Sequence, residues 1–131
     1  MSHRLKIIKE WVDVNVTASG QTFKESFEVD KHVSKIIGIA FTSNNDGMPY
    51  FRGTQKISIN EKEIYPEGYE SKLLMQGFNV PVNERIIKFN GEEIDPGNRK
   101  VDFEYTDNDH PLFPFSGPYR VRLYIYSRID D

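Results

Sequence analysis

At 131 residues, with a formal net charge of −3 and an isoelectric point near 5.6, the chain is long enough to bury roughly two-thirds of its unfolded surface. It lacks the basic balance of a protein that grips nucleic acid by broad phosphate neutralisation. The absence of cysteine excludes disulfides, thiolate metal sites and cysteine nucleophiles, and an aromatic share of 13%, rich in Phe and Tyr and poor in Met, suits sheets better than helical bundles.

Residues 1–131 read as one domain. The opening MSHRLKIIKEWVDV is interrupted by Arg4, Lys6, Lys9 and Glu10, so no apolar run reaches signal-peptide length, and no stretch reaches the length of a membrane span. Asn15-Val16-Thr17 fits a glycosylation pattern, which without a secretion signal is read as chance. Residues 5–17 form the first expected strand, with Val12, Val14 and Val16 on one face and Trp11 on the other. Ala18-Ser19-Gly20 then supplies a bend into a second strand at 21–29, where Phe23, Phe27 and Val29 are read to one side, and the two strands are expected to pair as a hairpin.

Lys35 to Thr42 (KIIGIAFT) is apolar on both faces, the pattern of a central strand covered from both sides, with Gly38 marking a close approach. Ser43-Asn44-Asn45-Asp46-Gly47-Met48-Pro49 is dense in turn formers and reads as an exposed loop. A short echo follows: Ile57-Ser58-Ile59-Asn60 with Glu63-Ile64 and Pro66 is matched by Ile87-Lys88-Phe89-Asn90 with Glu93-Ile94 and Pro96. Each reads as a hairpin. Asn90-Gly91 suits a two-residue turn with positive φ, whereas Glu61 in the equivalent place is strained there or forces another loop.

Between the echoes, Glu70 to Gln76 fits a strand or a single helical turn, and strand is the reading adopted. Val101 to Thr106 alternates with Val101, Phe103 and Tyr105 on one face. The segment Asp107 to Pro118 carries Pro111, Pro114 and Pro118, which cannot donate to a sheet, so it is expected to cross one end of the fold with Phe113 and Phe115 beneath it. The closing stretch Tyr119 to Arg128 alternates cleanly. Val121, Leu123 and Ile125 point inward, while Arg120, Arg122, Tyr124, Tyr126 and Arg128 point out. Tyr and Arg are the residues enriched where proteins meet partners, so this stripe is the candidate interface, with an ordinary exposed face of cross-strand pairs as the rival reading.

About eight short strands with little helix point to an all-β antiparallel sandwich, a jelly roll first and an immunoglobulin-like or other Greek-key sandwich second. Residues that invite a catalytic reading do not assemble into one. Asp30, His32 and Ser34 alternate, but strand neighbours on one face sit roughly 6 to 7 Å apart, too far for a nucleophile and its base. His3, His32 and His110 have no ligand spacing. Asp107-Asn108-Asp109-His110 and Asn44-Asn45-Asp46-Gly47 gather oxygen ligands without the distal Glu of a calcium loop, and are read as polar turns with a structural cation as the alternative. Glu61, Glu63, Glu67, Glu92 and Glu93 are hairpin-tip acids, the wet end of a sheet and a poor place to raise a catalytic pKa. No cofactor or metal is expected. Trp11, Tyr50, Phe51, Tyr65 and Tyr69 offer the second functional reading, a stacking platform for carbohydrate.

Around PYFRGTQKISIN (49–60) and IYPEGYESKLLMQGFNVP (64–81), and in its length, strand cadence and lack of cysteine, the chain resembles small single jelly-roll phage virion proteins of the kind placed at capsid vertices or as accessory and decoration subunits. That resemblance implies a non-enzymatic building block located in the virion, with a cytoplasmic location as the alternative. It would act as a homo-oligomer, or against other virion proteins, through symmetric contacts. No residue role is carried over from the family.

Overall fold

A computed structural model describes residues 5–75, 86–89 and 93–130; His3, Gln76, the Asn90-Gly91 tip and Glu92 lie outside the described residues. The elements in order are β1 (Leu5–Val16), β2 (Thr22–Glu28), β3 (Val33–Ser43), α1 (Gly47–Arg52), β4 (Gly53–Ile59), β5 (Lys62–Glu70), a 3-10 turn (Ser71–Leu73), β6 (Ile87–Lys88), β7 (Lys100–Asp107) and β8 (Tyr119–Asp130). The strands form two four-stranded antiparallel sheets, β1-β8-β3-β6 and β2-β7-β4-β5, packed face to face as an all-β sandwich. The pairs β1–β8, β2–β7, β3–β6 and β4–β5 make the chain one long ribbon doubled back between β4 and β5. That ribbon is bent so that β8 also meets β3 and β7 also meets β4.

Alternation decides which residues fill the space between the sheets. Val12, Val14 and Val16 of β1 face Val121, Leu123 and Ile125 of β8 on the inner side of the first sheet. Ile57 and Ile59 of β4, with Val101, Phe103 and Tyr105 of β7, face them from the second. Phe41 joins the layers: its ring stacks on Tyr105 (centroids 6.3 Å apart) and meets Phe103 edge-on at 6.3 Å, a geometry worth more than area alone.

The expected β1–β2 hairpin does not form. Ala18-Ser19-Gly20 carries the chain from one sheet to the other, and β1 pairs with β8 while β2 pairs with β7. This corner is tied elsewhere, Gly20 (φ +70) donating its amide to the Asp107 carboxylate at 3.0 Å and Gln21 accepting from the Asp107 amide at 2.9 Å. The apolar run of β3 also has a different origin from the one expected. Val33, Ile36, Ile39 and Phe41 lie against Ile129, Ser127, Ile125 and Leu123, and register shifts at Val33/Lys35 and Ile36/Gly38 rephase the strand so that residues at uneven spacing all face inward. Bulges do this by inserting one residue opposite a continuous partner. Gly38 marks a close approach as expected, because a Cβ there would meet the Ile86 side chain at 2.5 Å and the Ile87 carbonyl at 2.7 Å.

Two further segments differ from the sequence reading. Gly47–Arg52 is a short helix, with Met48 and Pro49 buried, inside what reads as an exposed turn; Pro is tolerated there because first-turn amides have no partner within the helix. Ser71–Leu73 is a 3-10 turn where a strand is expected, and Ser71 is held by Gln55, to whose side-chain oxygen its hydroxyl donates.

The β4–β5 tip forms with Asn60 and Glu61 at φ +53 and +62, the two-residue geometry that favours Asn-Gly. Glu61→Gly should therefore raise the unfolding free energy by about 0.5–1 kcal/mol, the relief of a left-handed non-glycine residue less the entropy glycine adds to the unfolded chain. Urea unfolding measures this; a loss of stability would contradict strain at the tip.

Candidate interaction face

One end of the sandwich is fixed by a buried ion pair that also orients β8. Arg52, at the end of α1, and Asp107, at the end of β7, are 3% and 0% exposed. The guanidinium donates to both carboxylate oxygens, Nε to Oδ1 at 3.1 Å and Nη2 to Oδ2 at 2.7 Å, the bidentate geometry that compensates burial best. Arg52 also donates to the Phe113 carbonyl at 3.0 Å and the Ser19 hydroxyl at 2.8 Å. Asp107 accepts the Gly20 amide and the Tyr119 hydroxyl (2.7 Å), and Tyr119 in turn lies 2.7 Å from the Tyr105 hydroxyl. Burial pushes both phenols well above their ordinary pKa, so they act as neutral donors. The network thus holds α1, the β1–β2 corner, the crossing segment and the first residue of β8. The crossing segment lies over this end as expected, with Phe113 against Phe51 (4.6 Å between centroids) and Phe115 against Tyr119 (6.1 Å).

With Tyr119 turned inward, the next outward residues of β8 are those the sequence singles out. Arg120, Arg122, Tyr124, Tyr126 and Arg128 line the outer face of the β1-β8-β3-β6 sheet along its second strand. Beside them on β1 stand Asn15, Asp13, Trp11, Lys9 and Ile7, in register with those five in turn. Asp13 holds Arg122 through two hydrogen bonds, from Nε at 2.6 Å and Nη2 at 3.0 Å. The hydrogen bonds from Arg122 draw the Asp13 carboxyl below its ordinary value despite some desolvation.

So fixed, the Arg122 guanidinium lies over Trp11 (5.2 Å to the ring centroid) and Tyr124 (5.7 Å), and these two rings pack tilted at 6.0 Å. Lys9 lies 5.9 Å from the centre of the Tyr126 ring. Arg128 pairs with Glu93, Lys35 with Asp95 at 2.8 Å, and the Arg120 amide donates to Asn44. Half of the Trp11 surface (54%) and of Ile7 (56%) is nonetheless exposed. The result is a cation-rich aromatic surface whose side chains contact one another.

The outer face of the other sheet is built differently. Thr22, Thr106 and Thr54 lie side by side, with the Thr22 and Thr106 hydroxyls 2.8 Å apart, Lys24 and Lys56 flank Glu104, and Ser26 and Ser58 flank Asp102, so opposite charges and hydroxyls stand beside one another across strands in a polar ladder. A shallow groove of about 440 Å³ runs over it. A second cleft, of about 530 Å³, opens beside α1 between Tyr50, Phe51, Lys72, Asn108 and His110.

The remaining sequence candidates are dispersed. Asp30 and His32 do meet, at 3.1 Å, because residues 30–32 form a turn rather than a strand, but Ser34 donates to the Arg128 carbonyl instead. Asp107 is consumed by Arg52, and among the described residues no group of acids and histidines is arranged to hold a metal ion. Glu61, Glu63 and Glu67 are exposed, and Glu93 pairs with Arg128. The five aromatics fall in three places: Trp11 on β1, Tyr50 and Phe51 on α1, and Tyr65 packed on Tyr69 at 4.9 Å on β5.

Lys9 and Asp13 belong to the candidate face and escaped the sequence reading. Alternation with Trp11 on the non-valine side of β1 would have found them. Comparison with family models, curated proteins and solved structures returned no significant match.

Burial alone would raise the Asp107 carboxyl, but hydrogen bonds from Arg52, Gly20 and Tyr119 outweigh it and hold the group below its ordinary value. A lowered folded value means that its stabilisation is complete above the unfolded value, near 4, and is lost as pH falls through the folded one. Asp107→Asn, which leaves Arg52 buried without its principal counter-charge, should cost about 3–5 kcal/mol at neutral pH. It should also flatten the loss of stability below about pH 4. Urea unfolding across that range would contradict the assignment if variant and parent lost stability equally on acidification.

Proposed function

We propose that this chain is a non-enzymatic structural or assembly subunit of a virion, acting through protein–protein contacts made by the outer face of the β1-β8-β3-β6 sheet. The observation that carries the reading is the contrast between the two outer faces. One is a polar ladder of threonine, serine, lysine and acid side chains, and the other presents Trp11, Tyr124, Tyr126 and Ile7 among guanidinium groups held by Asp13 and Glu93. A half-exposed Trp with partly exposed Tyr beside Arg is the composition of interface centres, where large rigid side chains lose little entropy on docking. The strand order supports reading the sandwich as a jelly roll, since a doubled ribbon wrapped into two sheets is how two Greek keys are made from eight strands.

That fold is compatible with many functions, so the virion assignment rests on the sequence resemblance and the surface argument together. A carbohydrate platform is less well supported, because the aromatics that suggested it are divided among three surfaces.

Arg122→Ser combined with Tyr124→Thr tests the reading. Both side chains point away from the core, so the far-ultraviolet spectrum should be retained with a small change in thermal midpoint, while self-association or virion-partner binding should weaken at least tenfold. Sedimentation velocity across a concentration series, with and without virion partners, provides the readout. Unchanged assembly would remove this face from consideration, and loss of folding would show that the face has been assigned to the wrong side of β8.

A further inference from the structure

Four strands end the two sheets among the described residues, and three of them are blunted. β6 is two residues long. β5 contains Pro66 and Gly68 and is broken by two register shifts against β4. β2, seven residues long, sets the exposed charge of Glu25 on the same strand face as Phe23 and Phe27. These are the devices by which sheet edges avoid pairing with another chain. β1 is the exception: twelve residues without proline, in unbroken register with β8, its other edge unpaired among the described residues. Its inward charge, Glu10, is turned back onto its own subunit, where the carboxylate accepts the Asp30 amide at 3.2 Å.

We propose that two copies of this chain pair antiparallel through the free edge of β1, about a two-fold axis at Trp11, joining their four-stranded sheets into one continuous sheet. The proposal rests on the assembly reading above and names its partner as a second copy. Charge complementarity favours a second copy as the occupant and, among axes at the central residues Lys9 to Asp13, selects the register. For both cores to lie on one side of the joined sheet, outward residues must oppose outward residues, so the axis passes through a residue.

An axis at Lys9, Glu10 or Asp13 sets like charges directly opposite each other. An axis at Val12 leaves Lys9 opposite Asn15. At Trp11, Lys9 faces the partner's Asp13, Trp11 faces the partner's Trp11, and Ile8 faces the partner's Val14 on the core side. Opposed charges and paired aromatics are the cross-strand combinations that stabilise antiparallel strands. Asp13 would then lie between Arg122 of its own subunit and the partner's Lys9, a carboxylate retaining lone pairs for both.

Native mass spectrometry with a cysteine scan tests this, and the scan is clean because the chain contains no cysteine. Directly opposed Cα atoms in an antiparallel pair lie about 4.5–5.5 Å apart, within disulfide reach. Trp11→Cys should therefore oxidise to a covalent dimer. Lys9→Cys together with Asp13→Cys should do the same while retaining Trp11, which covers the case in which the first variant does not fold. Lys9→Cys alone should remain uncrosslinked, because the two cysteines would be about 13 Å apart. Lys9→Glu, which places two acids opposite one another twice per dimer, should weaken dimerisation at least tenfold.

A protein that stays monomeric at every concentration overturns the proposal. So does a dimer that Trp11→Cys and the paired cysteines fail to cross-link; that result leaves the assembly reading standing through another surface. The assembly reading falls separately, if the Arg122→Ser/Tyr124→Thr variant binds virion partners and assembles beyond the dimer normally.

Discussion

The Arg52–Asp107 ion pair is the interaction on which the arrangement of this protein depends. A doubled ribbon has no intrinsic reason to wrap in one way; it does so because its crossing segments are held at the ends. Here one carboxylate gathers the end of α1, the β1–β2 corner and the first residue of β8, and one guanidinium gathers the crossing segment through Phe113 and the corner through Ser19. Buried pairs of this kind contribute little net stability relative to a well-packed apolar alternative. Their effect here is to specify one arrangement. Tyr119 can donate its hydroxyl to Asp107 only while facing inward, and with it fixed, alternation dictates that Arg122 and Tyr124 face out.

The proposed function then rests on what the outward residues of two adjacent strands do to one another. Asp13 determines where the Arg122 guanidinium lies, and Arg122 in turn lies over Trp11 and Tyr124. Long flexible side chains on a surface ordinarily lose conformational freedom on docking. This group is already ordered within one subunit, so the entropic cost of contact is reduced before any partner arrives. The opposite sheet contrasts with this: its lysines stand beside acids across the strands, with no large apolar group on the outer face that β2, β7 and β4 contribute.

Much of the fold was legible wherever a single strand carried its own pattern. The faces of β8 and β7 follow from strict alternation in YRVRLYIYSR and VDFEYT, and the β4–β5 hairpin follows from Asn60-Glu61 between alternating stretches. Pairing partners were not legible, because proximity in sequence favours the β1–β2 hairpin while the actual partner of β1 lies more than a hundred residues away. The bulges of β3 defeated a period-two reading: Val33, Ile36, Ile39 and Phe41 share a face only after two residues are absorbed. Gly47 and Pro49 concealed α1 by looking like turn residues. For the candidate face, the β8 stripe was visible, but its partnership with Trp11 and Asp13 required the long-range pairing.

Trp11 is the chain's single tryptophan, so its fluorescence reports on the proposed interface without labelling. Acrylamide quenching measured as self-association or partner binding proceeds tests the central claim most directly. The account predicts that Trp11, about half exposed in the isolated subunit, becomes shielded in step with assembly, its quenching constant falling severalfold. Assembly that proceeds while Trp11 stays as accessible as in the free subunit would place the contact elsewhere and contradict the account.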